Sequence, residues 1–249
     1  DEPSNNYFVW TVPILTIPVI LIKWNNYNFQ NQELSFTIGD VSSSRYGTYD
    51  DVDDLLNKED YNYPKNNPED PFSGSVSDYY KAISHGRMTP KFEIINASSN
   101  NNPISLDNYA HNINGSYIDY GETNDSTGSK LKPELLSAYK QAVINYENDN
   151  GIGSFDKLYG KHNVCFMHSG YGGETWVENR GNYVWSHKWD FTDENGVKIK
   201  YFINPYKIKK GNHINIISIG VVVHESLHIF GLPDFYDTDL SSKGAGYLS

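Results

Sequence analysis

The chain has 249 residues and a net charge of −11, with 31 acidic against 20 basic side chains. So acidic a balance excludes nucleic acid as the main partner, because phosphate binding needs a basic surface. The single cysteine, Cys165, excludes an intrachain disulfide, and 38% hydrophobic with 14% aromatic residues excludes a disordered tail in favour of a folded globule.

Val12 to Trp24 predicts a strand entering the core. Its apolar run, Val12 to Ile22, is too short to span a membrane and contains Pro13 and Pro18. It follows an acidic start, which makes a poor signal peptide. A short strand is expected around Leu34 to Ile38 and a helix over Asp50 to Lys58, where Val52, Leu55 and Leu56 keep helical spacing. Tyr61 to Gly74 reads as a loop. Ser75 to His85 predicts a helix capped by Ser77 and stopped by Gly86, and Met88 to Ile95 a strand. Residues 96–129 are polar and turn-rich, and are expected to form an irregular surface insertion. Sequons stand at Asn96, Asn114 and Asn124, a pattern compatible with export.

Pro133 to Glu147 predicts a helix whose apolar face is Leu135, Leu136, Tyr139, Val143, Ile144 and Tyr146. The oxygen-rich stretch that follows makes Glu147, Asp149 and Asp156 candidate calcium ligands. Its spacing is not that of an EF-hand, so an ordinary Asn/Gly turn is the competing reading. Asn163 to Ser169 predicts a buried strand, with Cys165 as a buried thiol. The glycines of Gly170-Tyr171-Gly172-Gly173 let the backbone lie close to something, and an extended substrate is one candidate. Tyr183 to Asp190 and Lys198 to Asn204 predict a strand pair joined at Asp193-Glu194-Asn195-Gly196.

The most informative stretch is His224-Glu225-Ser226-Leu227-His228-Ile229-Phe230-Gly231-Leu232-Pro233-Asp234, on a helix expected over Asn215 to Phe230. It reads H-E-x-x-H-x-x-G-x-x-D. One turn apart, His224 and His228 share a helix face and can bind one zinc ion, while Glu225 can act as general base on a zinc-activated water. Gly231 suits a helix end at positive φ, and Pro233 prevents the helix from resuming. The turn lets Asp234 approach the same metal. A third ligand of the thermolysin type, a downstream Glu, is closed to this chain because no Glu follows Glu225. The expected centre is therefore His224, His228 and Asp234, with a position open for substrate.

With these residues in hand, the chain resembles the immune inhibitor A family of secreted zinc metallopeptidases, within the metzincin group. The resemblance covers roughly residues 12–249. It rests on Ser75 to Gly86, on Phe166-Met167-His168-Ser169-Gly170-Tyr171-Gly172, on Val184-Trp185-Ser186-His187-Lys188-Trp189, and on His224 to Asp237. It implies an α+β, metzincin-like zincin catalytic domain: a mixed twisted sheet with an active-site helix carrying the zinc motif. It implies a secreted or cell-surface endopeptidase acting on proteins and peptides, with His224, His228 and Asp234 as zinc ligands and Glu225 as base. Substrate is expected along an edge strand of the sheet, with Gly170, Tyr171, Gly172 and His187 as candidate cleft residues. The family tends to have a calcium segment where Glu147 to Asp156 fall, though Glu147 and Asn150 depart from it.

One departure is serious. Metzincins carry a Met-turn beneath the zinc, downstream of the third ligand, and the only methionines here, Met88 and Met167, lie upstream. Gly244 to Ser249 looks like the approach to that turn. The expectation is one catalytic domain over 1–249, cut just before the Met-turn. The alternative is a catalytically inactive secreted or surface protein that retains the metal-site fold.

Overall fold

The computed structural model describes residues 15–30, 34–38, 41–45, 47–61, 74–95, 106–160, 163–175, 179–210 and 213–233. The strands are β1 (Thr16–Trp24), β2 (Leu34–Ile38), β3 (Val41–Arg45), β4 (Lys91–Ile95), β5 (His111–Ile113), β6 (Asn163–Tyr171), β7 (His187–Thr192), β8 (Lys198–Lys210) and β9 (His213–Ile216). The helices are α1 (Tyr49–Asn57), α2 (Val76–Ile83), α3 (Leu106–Tyr109), α4 (Leu131–Asn150), α5 (Ser154–Tyr159) and α6 (Ile219–Ile229).

β1 is buried along nearly its whole length, and so is β6. Strands covered on both faces read as continuous apolar runs rather than alternations, which is why both were legible as core. They sit at the middle of a mixed seven-stranded sheet of order β4-β1-β6-β8-β7. The first four of these are parallel, and β7 turns back antiparallel on β8. The Asp193–Gly196 turn makes that hairpin, with Gly196 at φ +76°. β5 extends the β4 side of β1, and β9 follows β7 along the same side of β8. β2 and β3 form a separate antiparallel pair.

Alternate side chains send the sheet into two cores. Ile17, Val19 and Leu21 of β1, with Met167 and Phe202, face α1, α2 and α6. Ile20, Ile22 and Trp24, with Phe166, Tyr201 and Ile203, face α4 and α5. Each such side chain contributes about 1.5–3 kcal/mol by leaving water.

Several local expectations are corrected. α2 is capped by Ser75, not Ser77: Ser75 Oγ accepts from Asp78 N–H at 3.1 Å, and the Asp78 carboxylate accepts from Ser75 N–H at 3.0 Å. Ser77 is buried in the first turn and donates to the Pro90 carbonyl at 2.5 Å. On α4, Ile144 is 51% exposed, and Ala138 and Ala142 take the buried face with Leu135 and Tyr139. Of the irregular insertion expected over 96–129, residues 96–105 lie outside the described residues, and the remainder is built into the fold. β5 joins the main sheet beside Ile22–Trp24, and Tyr120 stacks on Trp24 at 5.3 Å. Asp125 is buried and receives Lys130 N–H and Leu131 N–H at 3.1 Å each, capping α4 from outside the helix. A three-residue strand and a cap five residues upstream carry no period that a sequence window can detect. The motif helix begins at Ile219, because Asn215 and Ile216 belong to β9. In one continuous apolar run, strand and helix cannot be told apart by period.

Candidate metal centre

Ser218 marks the start of α6, and the residues IGVVVHESLHI follow. At about 100° per residue, Val222, Ser226 and Ile229 fall on one side of the helix and His224 and His228 on the other. Burial follows that division: Val222, Ser226 and Ile229 are buried, and the two histidines are half-buried. The imidazole centroids lie 4.8 Å apart at an interplanar angle of 80°. Glu225, 7% exposed, sits between the imidazole side and the core.

The end of α6 completes this geometry. Gly231, at φ +91°, donates its N–H to the His228 carbonyl at 3.0 Å, and Leu232 N–H reaches the Leu227 carbonyl at 3.3 Å. This pair of bonds is a Schellman turn. The reversal brings the Leu232 carbonyl to 2.7 Å from His228 Nδ1. A carbonyl can only accept, so Nδ1 carries the proton, and Nε2 is the basic nitrogen of the neutral ring. That is the tautomer in which a histidine ligates zinc through Nε2, oriented by a partner on its other nitrogen. Two imidazoles on one side of a helix with a carboxylate beside them match the donor chemistry of zinc.

Asp234, the expected third ligand, lies outside the described residues. Among the described residues, no three His, Cys, Asp or Glu side chains gather to hold a metal. The candidate calcium ligands are thus not brought together. Glu147 and Asp149 belong to the end of α4, and Asp156 belongs to α5. Glu147 Oε1 instead accepts from Gly153 N–H at 3.0 Å, closing the turn between the two helices.

The candidate cleft residues also sit differently from expectation. The close approaches at the glycines are filled by this chain's own side chains. A Cβ on Gly170 would meet the Tyr27 ring at 3.2 Å, one on Gly172 would overlap Glu174 and Pro205, and one on Gly173 would overlap the Trp185 indole. Tyr171 is buried, with its ring edge-on to Tyr183 at 6.3 Å. His187 pairs in register with Ile203 and lies against Tyr201, so it faces α4 across the sheet from α6. His187 Nδ1 is 2.8 Å from the Trp185 carbonyl, and burial lowers its pKa. His168 also lies on the α4 side, edge-on to Trp24, and burial holds its pKa down to about 4.

Two partners of the motif were not read from the sequence. One is the Leu232 carbonyl, whose approach follows from Gly231 but is not a side-chain signal. The other is Tyr80 of α2, whose hydroxyl lies 2.6 Å from Ser226 Oγ.

No family model, curated protein or solved structure matches the chain. Among the described residues, no helix is long and apolar enough to cross a membrane.

Proposed function

We propose that the chain is a zinc-dependent endopeptidase of the metzincin type, acting on proteins or peptides outside the cell. The observation that carries this reading is α6 itself. His224 and His228 stand together on the less buried side of the helix, and the Leu232 carbonyl accepts from His228 Nδ1. His224 and His228 would hold the metal through ring nitrogens, with Asp234 as the third ligand. Zinc, when bound, acidifies a water and polarises a carbonyl. Glu225, next to His224, would take the attacking water's proton on its carboxylate and return it to the leaving amine. α6 packs against β8 and β7, and among the described residues β7 pairs only with β8. Its outer edge therefore suits an extended peptide that adds as a further strand. Asn114 and Asn124 are exposed, in keeping with export.

The test is cleavage of an unfolded protein by the full chain, with and without a zinc chelator, beside Glu225→Ala. Cleavage abolished by both supports the proposal. A folded, zinc-loaded chain that cuts nothing overturns it and favours an inactive relative that keeps the metal site.

A further inference from the structure

We propose that Tyr80 is a positioning residue for this centre: its hydroxyl, bonded to Ser226 at the back of α6, sets the rotation of the helix and hence the direction in which His224 and His228 present their rings. The inference rests on the reading of α6 as a zinc site.

Tyr80 OH and Ser226 Oγ are 2.6 Å apart, and the two residues are 1% and 0% exposed. Ser226 Oγ also lies 3.0 Å from the Val223 carbonyl. That carbonyl can only accept, and a serine hydroxyl has one proton to give. Ser226 therefore donates to Val223, and Tyr80 donates to Ser226. The donor chain runs in one sense, from α2 into α6, and ends on the carbonyl just before His224. A second contact lies one turn further on, where the Tyr80 ring meets Phe230 edge-on at 5.5 Å. The two contacts span the turn that carries His228. α2 is itself fixed, by the Ser75–Asp78 box at its start and by Ser77 bonded to Pro90.

Ser226 stands about 180° around the helix from the midpoint of His224 and His228. The other side chains on that buried side are Ile219, Val222, Val223 and Ile229, whose apolar contacts have no preferred direction. A buried hydrogen bond has one. A roll of about 10° moves an atom about 6 Å from the axis by about 1 Å. A working constellation tolerates only about 0.5 Å. The bland account is that Ser226 merely satisfies a buried phenol. It predicts an effect on stability alone.

The experiment compares the full chain with Tyr80→Phe, Ser226→Ala and the double variant. The zinc dissociation constant is measured by competition with a chromophoric chelator, and Tm is measured on the metal-free samples. Each single variant is expected to weaken zinc binding by about 10-fold or more. The double variant is expected to be no weaker than the worse single, and Ser226→Thr, which keeps the hydroxyl, to retain most of the affinity. Affinity within about twofold of the parent in folded Tyr80→Phe, whatever its Tm, overturns the proposal. If Tyr80→Phe does not fold, Ser226→Ala decides by the same criterion. A parent chain that binds no zinc overturns the reading of α6 itself, whereas unchanged affinity in the variants removes only the role of Tyr80.

Discussion

His228 Nδ1 and the Leu232 carbonyl are 2.7 Å apart because Gly231, at φ +91°, reverses the chain between them. Among the described residues an added Cβ at Gly231 meets nothing within 4 Å, so what opposes Gly231→Ala there is the backbone conformation. That strain costs about 1–2 kcal/mol. Relieving it shifts the carbonyl that orients His228. Zinc affinity is expected to fall about 10-fold, with only a modest change in the urea midpoint. A chelator titration of the variant checks this, and unchanged affinity would show that the carbonyl does not orient the ligand.

Glu225→Ala should keep the fold and the metal while losing cleavage. A general base contributes about 100- to 10,000-fold. The variant's kcat/KM is expected to fall by at least that, with zinc content by elemental analysis unchanged. A variant as active as the parent would remove Glu225 from the chemistry.

Acid should destabilise the fold well before the carboxylates titrate. His111 and His168 are buried, and loss of hydration lowers each from 6.5 to about 4. Below pH 6.5 the unfolded chain takes up protons that the folded chain refuses until about pH 4. The stability tied to neutral rings is therefore whole above pH 6.5 and is lost as the pH falls towards 4. At about 1.4 kcal/mol per pH unit, each histidine accounts for about 3 kcal/mol across that window. Urea unfolding at about pH 7, 5.5 and 4.5 measures the slope, and His111→Gln should flatten part of it. A flat profile would contradict the burial of both rings.

Asp125→Ala tests whether the segment before α4 is structural. Its carboxylate receives two backbone N–H groups at the start of the helix. The loss is expected to be about 1–2 kcal/mol in urea unfolding. A change under about 0.5 kcal/mol would mark the segment as the dispensable insertion its composition suggests.

Elements with a strong local period were legible without coordinates. Val52, Leu55 and Leu56 marked α1, Leu135 and Tyr139 marked α4, and Asn195-Gly196 marked the β7–β8 hairpin, because each signal lies within one turn or one strand. His224, Glu225, His228 and Gly231 were legible for the same reason: the spacing of a helix places both imidazoles on one side, and a helix end needs a residue that accepts positive φ. Tertiary structure decided what local spacing does not contain. His187 falls on the far side of the sheet from α6 because its register with Ile203, not its neighbours in sequence, sets its face. Gly170, Gly172 and Gly173 are spaces for Tyr27, Pro205 and Trp185, partners drawn from elsewhere in the chain. β5 is three residues long and becomes a strand only against β1. The bond from Tyr80 to Ser226 joins residues 146 positions apart. Nothing in either helix alone announces it, since a buried hydroxyl's partner is chosen by packing, and packing is a property of the whole fold.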